Sequence, residues 1–274
     1  MSVALIAAVI AAGAVAGSLG ALLGIGGGVF LVPFLTLGLD LPIRQALSTS
    51  LLTVIATSSS VSAGTTGRRL INMRLGMTLE VATAAGGLVG GITAYLLPAS
   101  SLYVVFGCTM LLIAGVTLSR LNVRNVIADA NADPGQFGGR FHDEESGGEV
   151  VYRVKRLPLA LAGSFLAGNV SSLLGIGGGV LKVPLLNAWC GVPLRAAAAT
   201  SAFMIGVTAA SGAVIYYGSG DVVAPFAAAA ILGVRIGSTG GMRLGARAKV
   251  RHMKLLLAAV MLIVAVLMFV RAAR

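Results

Sequence analysis

The sequence predicts an all-α, polytopic integral membrane protein made of two inverted repeats. Hydrophobic residues make up 57% of the 274 residues and charged residues only 11%, whereas about 25% of the residues in a soluble domain are charged. Residues 3–39 and 81–119 contain no charged side chain. About 20 apolar residues span a bilayer. These runs are too long for barrel strands and lack the period of two, so helices are the structure that satisfies their backbone in lipid.

The second observation is an internal duplication at a constant offset of 151 residues. Residues 22–33 read LLGIGGGVFLVP, and residues 173–184 read LLGIGGGVLKVP. The alignment continues without a gap, and 18 of the 35 positions from Ala16 to Ser50 are identical to their partners. Each half therefore carries the same unit, interrupted near its start by three consecutive glycines.

The predicted organisation is a first membrane repeat over residues 1–119, a cytoplasmic linker over 120–156 and a second membrane repeat over 157–274. Each repeat contains four apolar segments. They cover residues 3–37, 45–64, 76–97, 101–119, 157–188, 195–217, 222–242 and 253–271. Short basic loops stay cytoplasmic. Loops 65–75, 120–156 and 243–254 are therefore predicted inside the cell, and loops 97–101 and 217–221 outside.

This charge pattern predicts that the two repeats are inverted relative to each other. The second and third segments of the first repeat are joined inside, whereas their counterparts are joined outside. Inversion requires an odd number of crossings in each repeat. The first segment, 35 residues long, would extend ~50 Å as one helix, too long for a single upright crossing. We therefore predict that the first segment of each repeat, over residues 3–37 and 157–188, is broken or re-entrant at its glycine triplet. Eight plain crossings with parallel halves are the alternative.

The glycine triplets are the leading candidates for a binding site. Glycine adopts positive φ and allows a ligand to approach the backbone closely, while a proline nearby cannot continue the helical hydrogen bonds. The amides freed at the start of a half-helix bind anions, together with the helix dipole. Close packing of helices on small residues is the alternative explanation. The residues concerned are Gly26, Gly27, Gly28, Gly177, Gly178 and Gly179, with Pro33 and Pro184 after them.

Two pairs of hydroxyls, each after a Pro-x-Arg turn, are the next candidates. They could donate to an oxyanion or bond their own helix carbonyls, as Ser and Thr commonly do. The pairs are Thr49 with Ser50 and Thr200 with Ser201. The arginines of the two turns, Arg44 and Arg195, are predicted at opposite mouths of a cavity, where they would attract anions.

Three charged residues fall inside apolar segments. An intramembrane lysine is a functional hypothesis by default, and Lys182 could pair with an anionic substrate. Snorkelling to the membrane surface is the alternative for this lysine. We predict that Glu80 is interfacial and that Arg235 faces the cavity.

Glycines at a spacing of four indicate helix packing, with a homodimer interface as the alternative. They are Gly86, Gly87, Gly90, Gly91, Gly233, Gly237 and Gly241. The linker 120–156 holds six of the nine acidic residues and is predicted to be flexible and solvated, with a regulatory role as the alternative.

Several functions are excluded or disfavoured. Val29 stands where a dinucleotide fingerprint requires its third glycine. Cys108 and Cys190 are predicted to be free, and neither they nor His142 and His252 belong to a catalytic or metal-ligating cluster. The basic residues form no stripe with interleaved aromatics, so no nucleic acid partner is expected. No enzyme activity, cofactor or metal is predicted.

The repeated motif resembles that of the sulfite exporter TauE/SafE family of membrane permeases. It reads G-x-G-G-G-x-x-x-V-P and then Pro-x-Arg-x-Ala-x-x-Thr-Ser, over residues 24–50 and 175–201. The resemblance implies a multi-pass protein of the inner or plasma membrane, with two repeats, that moves small sulfur-containing anions such as sulfite or organosulfonates. The sulfur chemistry is implied by the resemblance alone.

The predicted function is a permease that exports a small anion across the membrane by alternating access. An anion channel or uniporter of the same fold and a non-transporting membrane scaffold are the alternatives. The predicted partners are the anion and the lipid bilayer. The predicted substrate-binding residues are Gly26, Gly27, Gly28, Thr49, Ser50, Gly177, Gly178, Gly179, Lys182, Thr200 and Ser201.

Overall fold

A computed structural model describes residues 3–23, 25–65, 70–119, 133–143, 148–245 and 250–273. Gly24 of the first glycine motif lies outside these residues, as do parts of the predicted basic loops, at 66–69, 120–132 and 246–249. The described chain is mainly α-helical. Its helices are α1 (Val3–Leu23), α2 (Gly28–Pro33), α3 (Ile43–Thr65), α4 (Met73–Leu96), α5 (Ala99–Ser119), α6 (Leu157–Leu174), α7 (Gly179–Ala188), α8 (Leu194–Gly218), α9 (Ala224–Gly245) and α10 (Val250–Ala272).

Six of these helices, α1, α3, α4, α5, α6 and α8, are long and apolar enough to cross a membrane. In α10 a shorter apolar stretch covers Ala258–Ala272. This composition confirms the prediction of a polytopic all-α membrane protein. Two strands, β1 (Gly139–Asp143) and β2 (Gly148–Tyr152), form an antiparallel hairpin between the repeats.

Local sequence signals explain several helix ends. The Asn72 side chain accepts a 3.0 Å hydrogen bond from the Leu75 amide and caps α4, as an N-cap asparagine typically does. The residue before a proline is pushed out of the helical region, and α4 ends in front of Leu97, which is extended and precedes Pro98. Pro193 stands directly before α8.

Both repeats begin with an interrupted helix. The chain leaves α1 at Leu23 and enters α2 at Gly28, and it leaves α6 at Leu174 and enters α7 at Gly179. The prolines, in contrast, do not stop the helices as expected. Pro184 lies inside α7, and Pro33 is followed by a π-helical turn over Phe34–Gly38. A wider turn relieves the clash between a proline ring and the preceding turn.

Glycine faces pack the repeats against each other. A Cβ at Gly237 of α9 would collide with the backbone of Ala14 in α1, and a Cβ at Gly86 of α4 would collide with that of Phe165 in α6. The offset of 151 relates Gly86 to Gly237 and Ala14 to Phe165. The same close contact therefore occurs twice, with the two repeats exchanged. The spaced glycines therefore serve packing within the chain, as predicted, and the homodimer stays a prediction.

The registers of these contacts give the helix directions. Gly233, Gly237 and Gly241 meet, in order, Ile10, Ala14 and Ser18. Both series advance together, so α1 and α9 run parallel. The helices α3 and α8 behave differently. Ser58 of α3 bonds the Ala202 carbonyl of α8, whereas Leu51, which is seven residues before Ser58, contacts Gly212, which is ten residues after Ala202. The equivalent helices α3 and α8 therefore run antiparallel.

The prediction of a flexible, solvated linker is wrong for the described part of residues 120–156, because the hairpin there is packed against the helices. Phe141, Val150 and Tyr152 are buried, and they share a core cluster with Leu75 and Leu79 of α4. The buried side of β2 is a continuous apolar run, Val150–Val151–Tyr152, a signal that the acidic composition of the segment concealed.

The hairpin is also tied to the start of α4 by hydrogen bonds. The side-chain amide of Asn72 donates, through Nδ2, to the Phe137 carbonyl at 2.8 Å and to the Tyr152 hydroxyl at 3.1 Å. Burial raises the pKa of that hydroxyl, which is therefore neutral at physiological pH. The end of the helix bundle where the β1–β2 hairpin packs on Asn72 and the start of α4 is called the hairpin face.

Candidate functional site

The two glycine-rich breaks meet in the interior of the protein. Gly26 and Gly177 both contact the Val54 side chain of α3. The Cβ position of Gly28 lies 2.7 Å from the Gly175 carbonyl oxygen and 3.1 Å from the Ile176 Cα. All of these residues are buried. The predicted glycines are therefore brought together, with the backbone of one break against that of the other.

Each break ends in a helix start that no side chain caps. Gly27 and Gly178 are the N-cap residues of α2 and α7, at φ of 76° and 78°, in the left-handed region that favours glycine. The first amide of α7 to bond within its own turn is that of Leu181, which donates to the Gly178 carbonyl at 3.2 Å. The preceding amides, of Gly179 and Val180, are therefore free of intrahelical bonds.

The four predicted hydroxyls divide into different roles. The Ser50 hydroxyl donates to the Gly175 carbonyl at 2.6 Å and so contacts the second break. The Thr200 hydroxyl accepts a 3.0 Å hydrogen bond from the backbone amide of Asn72, at the start of α4. The Thr49 and Ser201 hydroxyls are buried and have no hydrogen-bond partner within the described residues.

Two serines that were not predicted as site residues have the same property as Thr49 and Ser201. The buried hydroxyls of Ser171 and Ser172 in α6 also have no partner within the described chain. The Ser171 hydroxyl lies 3.2 Å from the Cβ position of Gly178. Sequence reasoning missed both serines, although a comparison of the repeats would have found them, since their partners at the offset of 151 are Gly20 and Ala21.

A buried ion pair lies one turn into α7. Lys182 Nζ lies 3.1 Å from Glu80 Oε2 in α4 and 2.7 Å from the Thr208 hydroxyl oxygen in α8. The Thr208 hydroxyl donates to Glu80 Oε1 at 2.6 Å, so the three side chains form a closed triangle. The side chain of Lys182 is 1% exposed and that of Glu80 11%. Both side chains are therefore enclosed by the protein, so Lys182 does not snorkel, whereas the depth of Glu80 near the inner edge of the membrane stays a prediction.

This triangle joins the two repeats, and the duplication gives no second copy of it. The offset of 151 relates its members Lys182, Glu80 and Thr208 to three residues without any charge. These equivalents are Leu31, Ile231 and Thr57. The Thr57 hydroxyl bonds its own helix at Thr53. The two sides of the interior are thus chemically unequal.

The arginines lie away from the breaks. Arg235 is exposed and donates to the Ser60 hydroxyl at 3.1 Å, so it does not face the buried site as predicted. Arg44 donates to the Tyr95 and Leu97 carbonyls at 3.3 Å. Since Arg44 and Arg195 stand near the starts of the antiparallel helices α3 and α8, they lie at opposite ends of the bundle.

The loops predicted to share the outer side do meet. The Tyr95 hydroxyl, just before loop 97–101, donates to Asp221 Oδ2 at 2.5 Å. The Ser48 hydroxyl donates to the Asp221 carbonyl at 2.8 Å. Both loops therefore lie at the same end of the bundle, opposite the hairpin face.

Interrupted helices that meet around buried polar groups, inside a bundle of membrane-spanning length, define a multi-pass membrane transporter. The sequence model of the family Sulfite exporter TauE/SafE matches residues 9–268, and the chain belongs to this family. It is 26% identical over 225 residues to the probable membrane transporter protein YunE of Bacillus subtilis (strain 168), covering 82% of this chain and 80% of that relative. No solved structure matches the chain.

These comparisons confirm the family, the multi-pass membrane location and the prediction of a permease rather than an enzyme. Among the residues that the structure describes, no three His, Cys, Asp or Glu side chains are grouped as a metal site requires.

Proposed function

We propose that this permease moves a small anion of the sulfite or organosulfonate class across the cell membrane by alternating access. The observation that carries the proposal is the start of α7. There the amides of Gly179 and Val180 come before the first intrahelical bond, and the Ser171 hydroxyl, which has no partner within the described residues, lies beside the cap residue Gly178. The buried Lys182 side chain follows one turn later. Amides at a helix start and buried hydroxyls are donors that suit an oxyanion.

The first break completes the proposed site from the other side. Gly28 contacts Gly175 and Ile176, so the starts of the two half-helices lie next to each other. The helix that begins at Gly28 continues through its π-helical turn to Gly38. We infer that the anion binds between the breaks, near Gly26, Gly27, Gly28, Gly177, Gly178 and Gly179, with Ser50 at the edge and the hydroxyls of Thr49 and Ser201 available from α3 and α8.

Alternating access follows from the relation between the repeats. The antiparallel pairing of α3 with α8 supports inversion, because equivalent helices then cross the membrane in opposite directions. The first repeat also folds back as a hairpin: Gly27 contacts Ala16, and Leu35 shares a core cluster with Val9. Three crossings then remain per repeat, an odd number. In such transporters one repeat moves against the other around a fixed site.

We infer that the hairpin face is cytoplasmic. Basic residues near the membrane ends mark the cytoplasmic side, and Arg74, Arg153, Lys155 and Arg156 belong to the segments at this end. The described part of the segment 120–156 then connects the repeats 1–119 and 157–274 on that side. The sulfur-containing class of the anion rests on the family to which the chain belongs.

Flux of sulfite into proteoliposomes tests the proposal. We expect saturable uptake that unlabelled sulfite on the far side accelerates, because a carrier returns faster when loaded. Gly178→Leu should abolish the flux while the protein remains in the membrane, since leucine does not tolerate φ of 78°. Gly115→Leu is the matched control, because a Cβ at Gly115 meets nothing within 4 Å.

Each contrary result points to a different function. Uptake without acceleration by far-side substrate would favour a channel or uniporter. No uptake of sulfite, thiosulfate or organosulfonates, and no thermal stabilisation of the purified protein by any of them, would favour a scaffold. Full activity of Gly178→Leu would remove the glycine breaks from the mechanism.

A further inference from the structure

We propose that the triangle of Lys182, Glu80 and Thr208 couples anion binding to one proton, because the anion takes the place of the Glu80 carboxylate beside Lys182 when Glu80 is protonated. This inference rests on the proposed function, since it concerns the coupling of the same site. The outcome is a proton and an anion that move together in the same direction.

The geometry leaves Lys182 dependent on Glu80. Among the described residues, its Nζ contacts one charged group, the Glu80 carboxylate at 3.1 Å, and one neutral group, the Thr208 hydroxyl at 2.7 Å. An ammonium has three donors, so one remains available. At 1% exposure the lysine needs a counter-charge, since an unpaired buried cation is strongly destabilising.

The helices packed against Glu80 supply no competing charge. Its own helix α4 packs on α6 and α8. Helix α6 contains no ionisable side chain, and α7 contains Lys182 alone. Helix α8 carries ionisable residues only at its two ends, namely Arg195 at its start and Tyr216 and Tyr217 near its finish.

The remaining ionisable neighbours of α4 among the described residues are in the hairpin, in the segment after α7, where Cys190 shares the core cluster of Leu75 and Leu79, and in α4 itself. The hairpin residues that pack on Leu75 and Leu79 are Phe141, Val150 and Tyr152, and the Tyr152 hydroxyl is bonded to Asn72. The other ionisable residues of α4 are Arg74, exposed at its start, and Tyr95 near its end. Within the described chain the Glu80 charge is therefore balanced by Lys182.

Lys182 lies within reach of both the Glu80 carboxylate and an anion bound at the start of α7. Its amide donates to the Gly178 carbonyl at 2.9 Å, so it is one helical turn beyond the cap of α7, on the helix whose start forms the proposed anion site. Its four-carbon stem is flexible. A modest rotation of this stem could bring Nζ from Glu80 towards an anion at the start of α7.

Charge balance then requires the proton. The buried pair is neutral. An added monovalent anion beside Lys182 would leave a net negative charge in a medium of low dielectric, where like charges repel strongly. A proton taken from water by the Glu80 carboxylate gives a neutral carboxylic acid, and the ionic contact of Lys182 passes from Glu80 to the anion. When the anion leaves, Glu80 returns its proton to water and pairs with Lys182 again.

The stoichiometry follows from the asymmetry of the repeats. The positions equivalent to Lys182 and Glu80 are Leu31 and Ile231, so the duplication supplies no second pair of this kind. We therefore expect one proton for each monovalent anion. Glu80 lies in the second turn of α4 and is the more exposed member of the pair, which favours proton entry from the hairpin face.

Proton uptake on binding tests the inference with the unmodified, full-length protein in detergent. The probes are methanesulfonate, thiosulfate and sulfate, whose own charges stay constant between about pH 5 and 8. In weak buffer with a pH-indicating dye, we expect about one proton taken up per methanesulfonate bound. The apparent Kd should rise about tenfold per pH unit once Glu80 is ionised in the unloaded protein.

Two outcomes separate this inference from the proposed function. Binding without proton uptake and without a pH-dependent Kd overturns the coupling but leaves the anion permease in place. No binding of any of the three probes counts against both. The unmodified protein thus decides the matter even if a variant fails to fold.

Variants assign the proton to a residue. In Glu80→Gln, the competing carboxylate is gone, so we expect tighter methanesulfonate binding than in the unmodified protein at pH 8, a flat pH profile and no proton uptake. Glu149→Gln is the control, because it removes an exposed carboxylate from the hairpin and should keep the pH slope. Proton uptake that persists in Glu80→Gln overturns the inference.

A double variant tests the role of Lys182 without leaving a buried charge. In Glu80→Gln with Lys182→Met, the pair is replaced by two neutral side chains, a change that buried pairs often tolerate. We expect this protein to fold and to bind methanesulfonate at least tenfold more weakly than Glu80→Gln alone. Equal affinity of the two proteins would exclude Lys182 from the site.

Discussion

The Ser50 hydroxyl donates a 2.6 Å hydrogen bond to the carbonyl oxygen of Gly175, so that helix α3 of the first repeat contacts the break of the second. Both groups are buried. The bond is one of several polar contacts between the two repeats, and it joins a helix of the first repeat directly to the glycine break of the second. It therefore gives the meeting of the breaks a polar contact that can be tested by itself.

Ser50→Ala should lower stability, because it leaves the buried Gly175 carbonyl without its donor. The expected cost is about 1–3 kcal/mol in the free energy of unfolding, measured as a lower Tm in detergent. Ser59→Ala is the control, since Ser59 is exposed and bonds its own helix at Ile55. Equal Tm values for the two variants would contradict the structural role of the bond.

Ser171→Ala should weaken anion binding without a large loss of stability. Its hydroxyl has no partner within the described residues, so its removal breaks no bond in the unloaded protein. A single lost hydrogen bond to a charged ligand is worth about 1.5–3 kcal/mol, or roughly a tenfold to hundredfold change in Kd for sulfite.

The control for this prediction is Ser164→Ala in the same helix. The Ser164 hydroxyl is also buried and also lacks a partner in the described structure, but it lies about two turns from Ser171, or ~10 Å. Its loss should leave the Kd for sulfite unchanged. A similar loss of affinity in both variants would indicate an indirect effect on the packing of α6.

Gly86→Val and Gly237→Val should be similarly destabilising. Each added side chain would collide with the backbone of a neighbouring helix, at Phe165 for one and at Ala14 for the other, and the two positions are equivalent under the duplication. Overpacking of this kind costs typically 1–3 kcal/mol or more. The measurement is Tm, with Gly115→Val as the control in open space. A variant pair as stable as this control would refute the close glycine contacts.

Cysteine accessibility tests the orientation of the ends of the bundle. In a background with Cys108 and Cys190 replaced by Ala, cysteines at the exposed positions Ser100 and Ser219 should react with an impermeant maleimide from outside intact cells. A cysteine at His142, exposed in the hairpin, should react only after the cells are opened. Labelling of the cysteines at positions 100 and 219 from opposite sides of the membrane would show that loops 97–101 and 217–221 lie at different ends of the bundle. It would also refute the inversion inferred from their common end.

Much of the architecture was predictable because lipid restricts the possible structures. Long uncharged runs such as residues 81–119 must be helical in a membrane, and a repeated glycine triplet at an offset of 151 predicts two interrupted helices. The breaks occur at these triplets in the structure. The prolines misled the prediction, because a single lost amide bond at Pro184 is tolerated within α7.

The sequence by itself determined the class of the protein, since hydropathy, duplication and glycine spacing are local properties that can be read along the chain. Only the tertiary structure decided which polar groups share the interior. Glu80 and Lys182 are 102 residues apart in the sequence, and no periodicity relates them. Their pairing depends on α4 and α7 packing around α8, and burial of a charge is stable only where that packing supplies its partner.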